Sequence, residues 1–211
     1  MLVGFEQARR RAAPAATTTT AAAAPTTTLP RSTATVKPVI TTTPVTRAGG
    51  AVAGTLESVD GRGGATIRLP AIIGRPAIVH AQHDGAGPFT VTAIDARGVA
   101  LGVVAQSTGS YSGTFPIGFV DETGRPTTGL TVTTDDAWHL DISQARLAPP
   151  LTAPGVAGHG DAVLAYRGPA VTAHVTASGT TPFTIHTYDR GVAALVTNTH
   201  GPYDARVPLP A

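Results

Sequence analysis

The stretch "GSYSGTFPI", Gly109–Ile117, returns in altered form as "GPYDARVPL", Gly201–Leu209. Both read Gly-x-Tyr, a few small or polar residues, then an apolar residue, Pro and an aliphatic. The match extends upstream of each. "PAIVHAQHDGAGPFTVTAIDARGVALGVVAQ" runs from Pro76 and "PAVTAHVTASGTTPFTIHTYDRGVAALVTNT" from Pro169. Pro88-Phe89-Thr90 answers Pro182-Phe183-Thr184, Asp95 answers Asp189, and Gly98-Val99 answers Gly191-Val192. Further upstream, "GRGGATIRL" from Gly61 answers "GHGDAVLAY" from Gly158. Matches in one order across so many turn and core positions make a tandem duplication.

Each copy reads as strands. In "FTVTAID", Phe89, Val91 and Ala93 share one face, with Thr90 and Thr92 on the other. "FTIHTYD" repeats this with Phe183 and Ile185, and "AWHLDI" sets Trp138, Leu140 and Ile142 against His139 and Asp141. Period-two alternation marks a half-buried strand. Turn signals such as "DG", "RGG" and "ETGRP" recur at the spacing of an all-β sandwich. The first copy predicts strands near 64–69, 76–82, 89–95, 101–107, 111–117, 129–134 and 137–143. Gly109 and Gly201 suit the tight turn before a strand. Tyr111 and Tyr203 then lie on the sandwich edge with the hydroxyl on a backbone partner, and Pro116 and Pro208 mark an edge strand or bulge. The expected fold is therefore all-β, with two tandem antiparallel sandwiches of immunoglobulin-like or jelly-roll-like kind: 51–148 the first module, 149–211 the second. The second stops at "VPLPA" and lacks a counterpart to the Trp138 hairpin. It is expected to be incomplete, or to be completed by the first module, by another chain, or by residues 33–46.

Composition agrees. The 211 residues include 24 Gly and 18 Pro, about a fifth of the chain against an average near 12%. Without cysteine there is neither a disulfide framework nor a thiolate metal site. No apolar run reaches the roughly 18 residues of a membrane-spanning helix. Residues 1–50 carry six basic groups against Glu6, while 51–211 carry nine Arg and twelve acids. A basic, nucleic-acid-binding folded region is excluded on that balance. Residues 1–50 are Ala-, Thr- and Pro-rich and read as a disordered low-complexity tether, because such a segment buries too little surface to offset its ordering entropy. "MLVGFEQARRRAAP" has three Arg but no apolar core of a secretory signal. The start then lies upstream or the protein stays inside.

The Gly-x-Gly lead-in, the "PFTV" strand, "LVTNTHGPYD" and "LTVTTDDAWHLDI" together resemble a repeat of uncharacterised actinobacterial envelope and secreted proteins, over residues 54–211. In those, two β-sandwich units follow a signal or anchor and a linker. A looser likeness is to small jelly-roll domains appended to secreted bacterial proteases, which carry no chemistry. The resemblance implies an extracytoplasmic, secreted or cell-envelope location, although the anchor is missing here.

No residue set specifies a reaction. "GSYSG" centres on Tyr111, so the G-x-S-x-G elbow fails and Ser110 and Ser112 read as turn residues. His80 and His83 with Asp84, or His139 with Asp141, offer two ligands each where a metal site needs three or four. His139 and Asp141 read as a solvated face, and His80 and His174 as equivalent outward positions. Asp121, Glu122, Asp135 and Asp136 gather hard oxygens on loops but lack calcium-loop spacing. The expectation is of no enzyme, no cofactor, and no catalytic, cofactor-binding or metal-binding residue. The expected function is a binding or spacer protein on a flexible tether, with a cell-envelope protein or glycan as partner. The alternative is a structural subunit of a phage or surface assembly, linked by strand exchange through the second module.

Overall fold

The computed structural model describes residues 2–6, 46–47, 55–69, 76–118, 125–189 and 192–210. In chain order the strands are β1 (Leu2–Glu6), β2 (Thr46–Arg47), β3 (Thr55–Arg62), β4 (Ala65–Arg68), β5 (Ala77–His83), β6 (Pro88–Ile94), β7 (Ala100–Thr108), β8 (Tyr111–Ile117), β9 (Gly129–Thr133) and β10 (Ala137–Gln144). After a 3-10 turn at Ala145–Leu147 come β11 (Ala162–Ala165), β12 (Val171–Ala177), β13 (Pro182–Asp189), β14 (Val192–His200) and β15 (Tyr203–Leu209). Every pairing between strands is antiparallel.

The first module is a sandwich of two sheets, ordered β2-β3-β10-β5-β8 and β4-β9-β6-β7. Leaving aside the short β2, successive strands wind between two four-stranded sheets in the order of a jelly roll. Alternation decides what goes inside. Val59, Val79, Ala81, Trp138, Leu140 and Ile142 from one sheet meet Ile67, Phe89, Val91, Leu130 and Val132 from the other in one core. Trp138 is buried, and its indole N–H donates to the Gly63 carbonyl at 2.8 Å. Gly61 lies against the ring so closely that a Cβ there would sit 2.1 Å from Cζ2. A strand crossing under a large aromatic has room only for Gly.

The second module repeats this arrangement, register included. Its sheets are β11-β1-β13-β14 and, among the described residues, β12-β15. Phe89 and Phe183 are both buried. Each packs on the tyrosine of the opening motif, at ring-centre distances of 5.5 Å for Phe89–Tyr111 and 5.5 Å for Phe183–Tyr203. The bulge between Val91 and Thr92 recurs between Ile185 and His186. Gly109 and Gly201 hold φ of 87° and 81°, and their N–H groups donate to Gly87 and Thr181, which precede the two Pro-Phe-Thr strands. Left-handed backbone of this kind is open to Gly at little cost. Pro116 and Pro208 lie on β8 and β15, each at the end of its sheet order. One detail differs from expectation: the Tyr111 hydroxyl donates to a carboxylate, Asp161 Oδ2, at 2.7 Å.

The expected tether is ordered at two places. Thr46–Arg47 pairs with β3 in the first module. Leu2–Glu6 enters the second module between β11 and β13, matching Leu2 to Ala165 on one side and to Tyr188 on the other. In the first module β9 occupies the same place, with Gly129 opposite Arg68 and Ile94. Val3 thus takes the position of Leu130, and both are fully buried. The extreme N-terminal strand supplies the place that β9 fills in the first copy. Of residues 33–46, the other expected source, Thr46 joins the first module, and 33–45 lie outside the described residues.

The modules touch through a small apolar cluster. Ile78 on the outer face of β5, Ala145 and Ala148 after β10, and Val163 and Ala165 of β11 are buried together. The Asp161 carbonyl also accepts from Thr114 N at 2.8 Å. Val163 stands where the first module has Thr66, and its apolar character follows from the face being covered here.

Candidate functional site

Strands β3, β10, β5 and β8 place their alternate, outward side chains on one sheet face. That face is polar throughout its centre: Ser58 and Asp60, His139 and Asp141, His80 and Gln82, Ser112 and Thr114. Pairing sets His139 between Asp60 and Gln82, and Asp141 between Ser58 and His80. The side chains are joined by hydrogen bonds. His139 Nδ1 lies 2.7 Å from Asp60 Oδ1, and its Nε2 lies 3.1 Å from Asp141 Oδ2. Gln82 donates its amide N–H to His80 Nε2 at 3.2 Å, so His80 Nδ1 carries the proton and donates to Thr114 Oγ1 at 3.2 Å.

Electrostatics follow from that geometry. Partial burial alone would lower the His139 pKa, but the hydrogen bonds to Asp60 and Asp141, with both carboxylate charges, outweigh it and hold it raised. For Asp141, partial burial pushes upward but is outweighed by hydrogen bonds from Ser58 and His139 and by the charges of His139 and His80, so its pKa is lowered. A raised histidine stabilises the fold fully below its unfolded value near 6.5, and that contribution fades as pH rises through the raised pKa. A lowered aspartate stabilises above about 3.8, and that contribution is lost as pH falls through the lowered pKa. The pair is therefore most stabilising between about pH 3.8 and 6.5. In thermal melts across pH, the difference between the native chain and His139→Gln should be largest in that window and shrink above it. His186 on β13 is held low by burial and opposes folding on acidification, but it is common to both chains and cancels from the difference. A constant difference from pH 5 to 9 would show that the His139 pairing does not set it.

The other sequence candidates are dispersed. His80 and His83 are three apart on one strand, so they point to opposite faces. His83 is 1% exposed in the core, stacked on Phe89 at 4.8 Å with planes 13° apart. Its Nδ1–H donates to the Gly109 carbonyl at 3.0 Å, so Nε2 accepts from Thr134 Oγ1 at 2.9 Å. Hydroxyl, imidazole and carbonyl thus stand in the order of a nucleophile, base and orienting group. Thr134 is only 6% exposed, however. What the arrangement achieves is to tie the end of β5 to the β7–β8 and β9–β10 turns. Asp136 lies beside it, its Oδ2 3.4 Å from Gly87 N. Asp84 and Asp135 are exposed, Ser110 is exposed in a turn, and Asp121 and Glu122 lie outside the described residues. Among the described residues no three His, Asp or Glu side chains converge to hold a metal. His174, equivalent to His80 in the pairing register, pairs with Asp204 at 2.6 Å on the exposed face of β12 and β15.

Sequence reasoning found His139 and Asp141 as a pair but missed Ser58 and Asp60, which lie on a strand it did not predict. Gln82 and Thr114 were legible from alternation in "HAQH" and "YSGTF". Compared with family models, curated proteins and solved structures, the chain matches none of them. Among the described residues no helix is long and apolar enough to cross a membrane.

Proposed function

We propose that the chain is a non-catalytic, extracytoplasmic binding and spacer protein, whose first module presents the polar face to a hydroxyl-rich partner such as a cell-envelope glycan. The face supports this. It is a hydrogen-bonded array of carboxylate, imidazole, amide and hydroxyl groups held on four adjacent strands, with donors and acceptors fixed before any ligand arrives. Preorganised polar groups lower the cost of binding a polyhydroxylated surface. Residues 7–45, rich in Thr, Ala and Pro, connect β1 of the second module to β2 of the first, so the spacer part of the reading is a link between the modules.

The test is co-sedimentation of the full chain with purified cell-wall polysaccharide, repeated with His139→Ala and Asp141→Ala. Saturable binding that each substitution weakens about tenfold, the 1.4 kcal/mol of one lost polar contact, is the expected result. No retention by any wall polysaccharide, or equal retention of all three chains, would overturn it. The second reading, a subunit linked to others by strand exchange, has its own supporting observation: a module of this chain is built around an inserted, sequence-distant strand.

A further inference from the structure

We propose that β12 is an acceptor edge, which takes one extended strand from a separate polypeptide into the smaller sheet of the second module. The first module is the template. There β5 has β8 on one side and β10 on the other. The equivalent β12 has β15 on the first side and, among the described residues, no strand on the second. The effect on the core is measurable at every inward position. Ala77, Val79, Ala81 and His83 on β5 are at most 1% exposed. Their counterparts are Val171, which is 42% exposed, and Ala173, Val175 and Ala177, which are half-buried.

Among the described residues the repeat does not refill the place. Residues 152–159, which answer β3 by the Gly61–Gly158 correspondence, form exposed loop without a strand. Nor is the edge guarded. Proteins blunt free edges with charge, proline or bulges. Here β8 and β15 carry Pro116 and Pro208, and the β6–β7 and β13–β14 pairs are bulged. From Val171 to Ala177, β12 has no proline, no Lys, Arg, Asp or Glu, and an unbroken seven-residue register.

The space selects the occupant. In the first module, β4 and β9 lie in the sheet that faces β3 and β10; β11 and β1 hold those positions in the second. A strand fits over them. A second copy meeting β12 edge to edge would drive its own facing sheet into the same volume. The pattern of the incoming strand is that of β10: large apolar side chains at alternate positions, as Trp138, Leu140 and Ile142, with polar residues between, running antiparallel to β12. Small residues at Ala173 and Ala177 leave room for them. This is β-strand addition, in which the main chain supplies affinity and alternate pockets supply selectivity. It concerns the second module alone, so failure of the polysaccharide test leaves it standing, and the reverse holds too.

The experiment uses the full chain and a labelled synthetic peptide with the β10 sequence, "DAWHLDISQ" (Asp136–Gln144). Fluorescence anisotropy should show saturable binding, weakened at least tenfold in a peptide carrying Leu140→Asp. Amide exchange should slow at 171–177 on binding and stay unchanged at 77–83. Absence of binding, equal binding of the substituted peptide, or protection in the free chain of the β12 amides that point away from β15 would each overturn the proposal.

Discussion

Val3→Asp opens the second module and leaves the first intact. Val3 is 1% exposed, in a cluster with Phe183, Ile185, Val207 and Leu209. A carboxylate there has apolar neighbours on the core side and no cationic partner among them. Burying an unpaired charge belongs to the small class of substitutions that cost on the order of 4–5 kcal/mol. That is a large part of the stability of a module this size. Losing β1 also frees both strands that flank it, because Leu2–Glu6 pairs along its length with β13 and over four residues with β11. Hydrogen exchange should accelerate at 162–165 and 182–189 while 77–83 keeps its protection. The single tryptophan, Trp138, sits in the first module, so its fluorescence melt should be little changed. Unchanged exchange at 182–189 would mean that β1 does not hold the sheet together.

Phe89→Ala is the corresponding blow to the first module. Phe89 is fully buried and lies between His83, stacked at 4.8 Å, and Tyr111 at 5.5 Å. Truncation removes the ring from both faces of that stack and leaves a cavity beneath the Gly109 turn. Such changes cost about 3–5 kcal/mol. The loss should appear as a lower urea midpoint followed by Trp138 fluorescence. Phe183→Ala removes the equivalent ring, but Phe183 is 7% exposed and, among the described residues, its sandwich has fewer strands above it. Its cost should be smaller, and it should be read by exchange at β13. If Phe183→Ala lowered the Trp138 midpoint as much as Phe89→Ala, the two cores would be one cooperative unit.

The strands were legible where alternation and turn chemistry agreed. All seven strands expected in the first copy formed, with ends within a residue or two, because "FTVTAID" and "AWHLDI" bury one face and wet the other. β3 was missed because "TLESVDGR" buries only Val59 fully and shows no apolar stripe. β1 was missed for another reason. Its five residues have a central Gly and run into an Ala/Thr tract, and what makes them a strand is a slot formed by residues far along the chain. Local pattern carries no trace of a partner at that distance. The polar face suffered through β3: His139 and Asp141 were visible, but the carboxylate on the other side of the imidazole came from the unpredicted strand. The tie from His83 to Thr134 depends on how two turns approach each other, which periodicity does not encode.

The place of Leu2–Glu6 has a consequence for biosynthesis. Translation delivers this piece before either of the strands it joins, β11 (Ala162–Ala165) and β13 (Pro182–Asp189). The first module's strands from β3 to β10 are contiguous, so it can close early, whereas the second must wait and then capture a segment made long before. Pairing across so much sequence is slow to form. Until β13 has been made, Leu2–Glu6 has no partner on that side, so closure of the second sandwich reports that translation has passed Asp189.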